Sequence, residues 1–156
     1  TISKGEEKII VILKELNITY VREYSFRDST YRYDFYLPDF NILIEYDGEL
    51  HYFPVDHFGG VEKYNKTIQS DLAKDILAEK ENCYLIRVPY TKYNTLKTYL
   101  ITKLKNKYRY WLIVNDKIVV YKNMLDVCNF YNLPGNTTGL TLIENMNKKF
   151  ITKVLF

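Results

Sequence analysis

The sequence has few of the residues that build disulfide frameworks or zinc sites. Only two of its 156 residues are cysteine and two are histidine. Cys83 falls in a predicted strand and Cys128 in a predicted helix, so we expect both to lie reduced in the core rather than to form a disulfide. Because no cysteine lies near the acidic cluster described below, a structural zinc site is disfavoured there.

Long apolar segments are also missing. No uninterrupted apolar run is long enough to cross a bilayer, and no signal peptide is visible. We therefore expect a soluble, intracellular (cytoplasmic) protein with no membrane partner. Because the chain begins at Thr1 instead of an initiator methionine, we also expect a processed or excised fragment, with room for further domains upstream.

Apolar residues make up 47% of the chain, enough for the core of one domain with a modest appendage, and 16 tyrosines make it unusually aromatic. Residues 1–86 hold 10 basic and 16 acidic residues, whereas residues 87–122 hold 9 basic residues and one acidic residue. An acidic half that binds cations, followed by a basic half that follows phosphates, is what a metal-dependent nuclease needs. The alternative is a solvated lysine face.

Two alternating apolar runs within residues 31–53 predict consecutive β-strands joined by a tight turn at Pro38. Side chains alternate across a strand, so Asp34 is expected on the face opposite to its apolar neighbours. Those neighbours are Tyr33, Phe35 and Leu37. In the second strand Glu45 and Asp47 share one face. The hairpin therefore brings three carboxylates close together.

Such an acidic cluster is costly unless something neutralises it. Like charges repel at this distance, and their burial requires a cation or hydrogen bonds. Carboxylate oxygens suit Mg²⁺ or Mn²⁺, so we expect Asp34, Glu45 and Asp47 to bind one of these ions. His51 follows shortly after Gly48 and adds an imidazole. The alternative is that the carboxylates are solvent-facing residues of a half-buried sheet.

The segments around this hairpin predict an α/β sandwich. Periodicity and capping signals predict, in chain order, a helix from Ser3 to about Asn17, a strand over residues 18–26, the central hairpin, a helix over residues 61–81, a strand over residues 83–88 and a basic helix from Thr91 to about Asn106. This order of helix, three strands, helix, strand and helix suits a mixed sheet flanked by helices.

The helix predicted over residues 61–81 carries an apolar stripe with two acids, Asp71 and Asp75, at its edge. The stripe consists of Tyr64, Ile68, Leu72 and Ile76. Residues at the edge of such a stripe can reach a neighbouring site. In the following strand, Arg87 can equally pair with carboxylates of the sheet or contact a phosphate.

The last third of the chain predicts a small α+β extension. Residues 108–121 indicate a β-hairpin turning at Asn115, followed by a short helix that Asn123 caps. A second short helix or turn is expected near residues 140–146, and residues 150–156 alternate as a strand. The two short helices weakly resemble helix-turn-helix modules appended to phage endonucleases; alternatively, this part extends the sheet and core. We expect a nuclease core at residues 1–106 and an extension at residues 107–156 that is a candidate for DNA binding.

The central acidic pattern resembles a known nuclease superfamily. Asp34, Glu45-x-Asp47-Gly48 and His51 are similar to PD-(D/E)XK nucleases, and most similar to the branch containing very-short-patch repair nickases and phage and viral endonucleases, including homing endonucleases. The resemblance is carried by KGEEKII at 4–10, YDFYLP at 33–38, IEYDGELHY at 44–52, FGG at 58–60 and LIRVPY at 85–90. It spans about residues 3–90.

Two positions depart from the superfamily pattern. Many members have glutamine before the histidine, where this chain has Leu50. The lysine of the E-x-K pattern is replaced by Asp47, as is common in this branch. The group that orients or deprotonates the attacking water must therefore come from elsewhere.

The resemblance implies a restriction-endonuclease-like core and a Mg²⁺-dependent or Mn²⁺-dependent endonuclease acting on double-stranded DNA, of a phage-type or virus-type site-specific (homing-like) or nicking kind. It implies that the metal is bound by Asp34, Glu45 and Asp47, and that His51 orients the attacking water or protonates the leaving oxygen. It also implies accessory groups on the helix, namely Gln69, Asp71 and Lys74. From the charge distribution, the DNA backbone is expected to contact Lys92, Lys97, Lys103, Lys105, Lys107 and Arg109.

Glu6 has two interpretations. As the fourth residue of the capping box it would bond to the Ser3 amide, and as a catalytic carboxylate it would complete the site from the first helix. The function also has an alternative. A nuclease-derived nucleic-acid-binding module that does not cleave is possible, and Leu50 is the hint that favours it.

Overall fold

The computed structural model describes residues 1–105, 107, 110–114, 117–121, 124–131 and 151–155. A four-stranded sheet and three helices form its first part: α1 (Lys4–Glu15), β1 (Val21–Tyr24), β2 (Tyr33–Leu37), β3 (Ile42–Asp47), α2 (Gly60–Lys80), β4 (Tyr84–Pro89) and α3 (Leu96–Leu104). This succession confirms the predicted order of helix, three strands, helix, strand and helix. The fold is therefore mixed α/β.

The sheet is mixed, with strand order β1-β2-β3-β4. β1 and β2 pair antiparallel, as do β2 and β3, whereas β3 and β4 pair parallel across the α2 connection. In that parallel register Glu45 lies beside Arg87. The crossover therefore places a basic residue next to the acids of β3.

The first helix begins with the predicted capping box. Ser3 Oγ accepts from the Glu6 amide, and the Ser3 amide donates to Glu6 Oε1, each at 3.2 Å. Gly5 lies against the ring of Tyr46, which a Cβ atom at this position would overlap. The helix ends near Asn17, which has a φ of 59°. Its first turn is thus packed directly against β3.

The two faces of the sheet carry different clusters. On one face, α1 and α3 enclose a fully apolar core whose sheet residues are Phe35, Leu37, Ile42, Ile44, Ile86 and Val88. On the other face lies a smaller cluster of Tyr33, Leu43 and Ala78, beneath α2. Both faces of β3 are therefore covered, and its acids do not belong to a half-buried sheet that faces solvent.

The prediction that Tyr33 shares a face with Phe35 and Leu37 is wrong. Tyr33 packs under α2, where its hydroxyl donates to the Lys74 carbonyl at 2.8 Å. An irregularity of the backbone lies next to this point, since Glu23, which stands opposite Asp34 between two paired positions of β1, has a φ of 53°. That left-handed residue interrupts the regular pleat on which the alternation argument depends.

Two further boundaries differ from the prediction. The strand predicted over residues 18–26 is only Val21–Tyr24, and three of its four residues are exposed. The helix predicted from Thr91 begins at Leu96, after a 3₁₀ segment, Tyr90–Thr95. The Tyr93 carbonyl in this segment accepts from Lys8 Nζ at 2.7 Å. The Tyr93 carbonyl therefore accepts a hydrogen bond from α1, whereas in an α-helix it would accept one from an amide of the same helix.

The apolar stripe of α2 faces away from the sheet. Ile68, Leu72 and Ile76 are 40%, 60% and 59% exposed, and Ala78 is the buried residue of the helix. The side that faces β3 and β4 instead carries Asp71 and Lys74, which bond to groups on or beside those strands. Polar contacts rather than apolar packing therefore position α2.

The second part of the chain forms a separate three-stranded sheet. Its elements are β5 (Tyr110–Val114), β6 (Lys117–Tyr121), α4 (Met124–Tyr131) and β7 (Ile151–Leu155). The strand order is β6-β5-β7, and all pairs are antiparallel. This confirms the predicted hairpin, the short helix and the final strand. Asn115, Asn123 and residues 140–146 lie outside the described residues.

The cysteines are both free, with Cys83 partly buried before β4 and Cys128 buried in α4. Among the described residues, no helix is both long and apolar enough to cross a membrane.

Candidate active site

The site is built around two buried acids of β3. Glu45 and Asp47 are only 4% and 3% exposed. They are two residues apart in a strand and therefore project to the same face, the one covered by α2. Ionised carboxylates are rarely buried without compensating partners. The partners of each acid therefore determine what the site can do.

Glu45 has one bonded oxygen and one free oxygen. Its Oε2 accepts from Lys74 Nζ at 2.9 Å. Within the described residues, Oε1 is the one buried side-chain oxygen or nitrogen atom without a hydrogen-bond partner. An unsatisfied buried acceptor is costly, so this oxygen is suited to a ligand that the protein itself does not provide.

Asp34 occupies the point where the pairing of β2 and β3 ends. The last paired residues are Phe35 and Ile44, and beyond them Asp34 Oδ2 accepts from the Tyr46 amide at 2.7 Å. The side chain of Asp34, rather than the backbone of β2, is thus the hydrogen-bond acceptor for the Tyr46 amide. This bond fixes Asp34 beside the acids of β3.

Both of these carboxyls have perturbed pKa values. Burial raises the pKa of Asp34 to about 6, although the hydrogen bond from Tyr46 opposes the shift. Burial raises the pKa of Glu45 to about 7, and the negative charge of Asp34 adds to the increase despite the opposing charge of Lys74. Lys74 therefore does not fully neutralise the pair, and an additional cation would stabilise its ionised form.

Asp47 is held by an arginine. Arg87 Nη1 donates to Asp47 Oδ1 at 2.9 Å, and Arg87 Nη2 donates to Asp75 Oδ1 at 2.8 Å. Burial raises the pKa of Asp47, while the charge of Arg87 opposes the increase. The structure thus distinguishes the two roles left open for Arg87, since it pairs with carboxylates of the sheet and of α2.

His51 is oriented by the helix. The short 3₁₀ turn Glu49–His51 follows Gly48 and brings the imidazole towards α2. Its Nδ1 lies 2.7 Å from Asp71 Oδ2 and 3.7 Å from Asp47 Oδ1. In the neutral tautomer that donates from Nδ1 to Asp71, Nε2 is an acceptor, and it has no hydrogen bond among the described residues. The arrangement is that of an imidazole with one nitrogen anchored and the other available.

The accessory residues on α2 behave differently from one another. Lys74 and Asp71 both contact site residues, as described above. Gln69 is exposed, and within the described part of the chain its side chain makes no hydrogen bond. The structure therefore brings two of the three expected accessory residues to the site.

Glu6 adopts the capping geometry. Its Oε1 accepts from the Ser3 amide, while its Oε2 lies 3.7 Å from Arg22 Nη2. Its charge nevertheless contributes to the raised pKa of Asp34. Glu6 is therefore both a helix cap and part of the electrostatic surroundings of the site.

Arg87, Asp75 and Tyr52 also belong to the site, and the sequence interpretation gave no role to Tyr52. The charge of Asp47 and, above all, burial raise the pKa of the Tyr52 hydroxyl to about 12. Alternation in the predicted strand already placed Arg87 on one face with Leu85, and the four-residue spacing of Asp71 and Asp75 placed both on one side of the helix. What was missing was the parallel register that joins these elements.

The lysines expected to contact DNA lie on and around α3, which packs on the apolar face of the sheet. Lys97 Nζ is bonded to Glu15 on α1 at 2.7 Å. Lys103 lies over the Tyr99 ring at 5.6 Å and also lines a cavity with Asp75 and Arg87. Lys92 lies in the 3₁₀ segment before α3, Lys105 ends α3 and Lys107 lies over the Tyr84 ring. Arg109 is outside the described residues.

The fit of a metal ion can be tested on these groups. Among the described residues, no group of three histidine, cysteine, aspartate or glutamate side chains is arranged to hold a metal ion. Asp47 is engaged by Arg87, whereas Glu45 has an unpartnered oxygen and Asp34 is a second perturbed carboxyl. Oxygen ligands of this kind suit a hard divalent cation. Asp34 and Glu45 are therefore suitable ligands for a divalent cation, and Asp47 is a less suitable one.

Taken together, the site offers two acids for a cation, an ammonium beside them and an imidazole with one available nitrogen. Such a set can bind a negatively charged substrate and move a proton. Comparisons of the chain with protein-family models, with curated proteins and with solved structures give no match. The residues of the site are therefore the basis for any conclusion about function.

Proposed function

We propose that this protein is a metal-dependent endonuclease that hydrolyses phosphodiester bonds in double-stranded DNA. The observation that carries the proposal is the buried Glu45, with an unpartnered Oε1 and a pKa raised to about 7 beside Asp34. A divalent cation would satisfy that oxygen and relieve the repulsion between the two carboxylates. Mg²⁺ or Mn²⁺ is the ion that these oxygen ligands favour.

We further propose that the first part of the chain is a restriction-endonuclease-like core. Three features support this: the element order from α1 to α3, the mixed sheet, and acids placed on β2 and β3 beside the α2 crossover. The acidic pattern described from the sequence falls on those strands. The site-specific or homing-like character of the enzyme remains part of the same proposal.

The residues of the chain have distinct tasks in this mechanism. Asp34 and Glu45 would hold the ion, which when bound polarises the scissile phosphate and lowers the pKa of the attacking water. Lys74 keeps Glu45 in position and supplies the ammonium that the E-x-K pattern loses at Asp47. His51, anchored by Asp71, directs Nε2 towards the reacting groups. The neutral imidazole would orient the water by accepting its hydrogen bond at Nε2, whereas protonation of the leaving oxygen would require the imidazolium form, which carries a proton on Nε2.

The proposal is tested by nicking of supercoiled plasmid with Mg²⁺, Mn²⁺ or EDTA. Glu45→Gln keeps the shape of the side chain but removes its charge, and we expect it to reduce nicking at least about 100-fold, or about 2.7 kcal/mol in the barrier. The matched control is Glu49→Gln, because Glu49 is an exposed acid four residues away. Metal-independent cutting, or an active Glu45→Gln variant, would show that the mechanism is wrong.

One observation favours the second candidate, a DNA-binding module that does not cleave. Lys74 and Arg87 already neutralise part of the charge of Glu45 and Asp47 without any metal. Buried ion pairs of this kind occur in sites with no catalytic role. That candidate requires duplex binding by the wild-type protein with no nicking in either metal, and the same assay therefore separates the two functions.

A further inference from the structure

A groove with a basic lining opens beside His51 along the first half of α2. Its volume is about 260 Å³. Besides His51 and Asp71, it is lined by three lysines and two hydroxyl residues: Lys63, Lys66, Thr67, Ser70 and Lys74. These side chains supply hydrogen-bond donors and positive charge, which are the groups that contact phosphate oxygens.

The lining residues form a continuous row. Residues 63, 67, 70 and 74 recur at intervals of four, three and four, so they lie on one side of the helix. The row ends at Lys74, which is bonded to Glu45. At 1.5 Å per residue it is about 16 Å long, room for several nucleotides at 3.4 Å of rise each. The groove therefore leads directly to the acids of the site.

Two lysines of the groove, Lys63 and Lys66, are available to an anion. The acid of the groove, Asp71, is already engaged by His51 and Arg87. Lys63 has no ion pair among the described residues, and Lys66 pairs with Glu62 while their side chains are 68% and 80% exposed. A solvent-exposed pair of this kind contributes roughly 1 kcal/mol or less, so Lys66 can exchange its partner at little cost. An anion entering the groove would thus meet the positive charges of Lys63 and Lys66, whereas Lys74 is already paired with Glu45.

We infer that this groove holds the phosphodiester backbone of the DNA strand next to the scissile phosphate. The inference rests on the proposed function and names the surface on which the substrate lies. It also adds a contact surface to the one expected from the charge distribution, because α3, which carries Lys97, packs on the opposite face of the sheet from Glu45. Lys63 and Lys66 would then be positioning residues that contact the backbone and take no part in the chemistry.

The test is the affinity for a labelled duplex, measured by fluorescence anisotropy over a range of salt concentrations in EDTA. Lys63→Gln combined with Lys66→Gln should weaken binding about tenfold and reduce the slope of log affinity against log salt by about 1.8, since each phosphate contact contributes about 0.9. The melting temperature should not change, because both side chains are exposed. A role confined to folding would leave the salt slope unchanged.

The matched control is Lys14→Gln combined with Lys80→Gln. It removes the same charge at exposed positions, one on α1 and one at the far end of α2, and should stay within about twofold of wild type. If the wild type binds and nicks DNA while the Lys63 and Lys66 variant keeps its affinity and slope, the groove assignment is overturned and the proposed function stands. If the wild type neither binds nor nicks DNA, both are overturned.

Discussion

The two faces of the four-stranded sheet are held together by different interactions. The face under α1 and α3 is an apolar core in which Ile9, Leu13, Ile44 and Leu100 are fully buried. The face under α2 is joined mainly by charged groups, while the apolar stripe of that helix is exposed. The first face therefore provides stability, and the second holds buried charged groups in place through ion pairs.

This division explains why the acids can be buried at all. A carboxylate pair with raised pKa values lowers the stability of the folded protein at neutral pH. The apolar face can offset that cost, because each large side chain buried there contributes about 1.5–3 kcal/mol. Loss of stability and loss of activity should accordingly follow from substitutions on different faces.

The largest stability effect is expected on the apolar face. Leu100 is 0% exposed, so Leu100→Ala should lower the free energy of unfolding by about 2–5 kcal/mol through lost burial and a cavity. Leu72 on α2 is 60% exposed, and Leu72→Ala should change it by no more than about 0.5 kcal/mol. Chemical denaturation measures both. Equal losses would show that the α2 stripe is buried in solution.

Substitution of Lys74 is expected to affect activity by a free energy similar to the stability loss of Leu100→Ala. Lys74→Met keeps the length of the side chain and removes the ammonium bonded to Glu45, so nicking should fall about 100-fold, or about 2.7 kcal/mol. Loss of this charge should also raise the pKa of Glu45 further and shift the acid limb of the pH profile upwards. Lys80→Met is the control. An unshifted profile would make Lys74 a purely structural residue.

The pattern of the sequence anticipated the acids of β3 but not the arrangement of their partners around them. Alternation alone places Glu45 and Asp47 on one face, and local capping signals predict α1. The register that puts Arg87 beside Glu45 pairs two strands that are far apart in the sequence. The periodicity of residues within one strand does not specify that pairing. Periodicity also revealed the stripe of α2 but not its orientation, since the stripe is exposed and the side that carries Lys74 faces the sheet.

A backbone irregularity lies next to the misplaced Tyr33. Alternation assumes a regular pleat, and the left-handed conformation of Glu23 breaks it at the position facing Asp34. Glutamate rarely adopts positive φ, so no residue preference signalled the break. The predicted placement of Glu45 and Asp47 on one face is therefore confirmed, whereas contacts that depend on neighbouring elements did not follow from local patterns.

A smaller effect is expected on the pH dependence of the free energy of unfolding, measured in EDTA. Acids whose pKa is higher in the folded protein bind more protons there than in the unfolded chain, so stability falls as pH rises through that interval. With pKa values of about 6 for Asp34 and about 7 for Glu45, the fall should lie between about pH 4 and pH 7. Its size should exceed about 1.4 kcal/mol, the equivalent of one pKa unit.

Thermal melting of the wild type and of Glu45→Gln over that pH range measures this effect. The variant should show a shallower fall because its amide does not titrate. A wild-type melting temperature that is constant or rises from pH 4 to pH 7 would contradict the assignment of raised pKa values to these two acids.

The smallest effect is expected for Lys97 of α3. Lys97→Gln should change the affinity for duplex DNA by no more than about twofold, because α3 packs across the sheet from the acids and Lys97 is paired with Glu15. The same anisotropy titration measures it. A loss as large as that of the Lys63 and Lys66 variant would mean that DNA contacts both faces.

The most direct test of the account is Mn²⁺ binding, measured by electron paramagnetic resonance in the presence of duplex DNA. The ion should bind the wild type, bind Glu49→Gln equally well, and fail to bind Asp34→Asn or Glu45→Gln at the same concentrations. Asp47→Asn should retain binding, since Arg87 already engages this carboxylate. Wild-type protein that binds DNA but no Mn²⁺, or Glu45→Gln that binds it as well as wild type, would contradict the account.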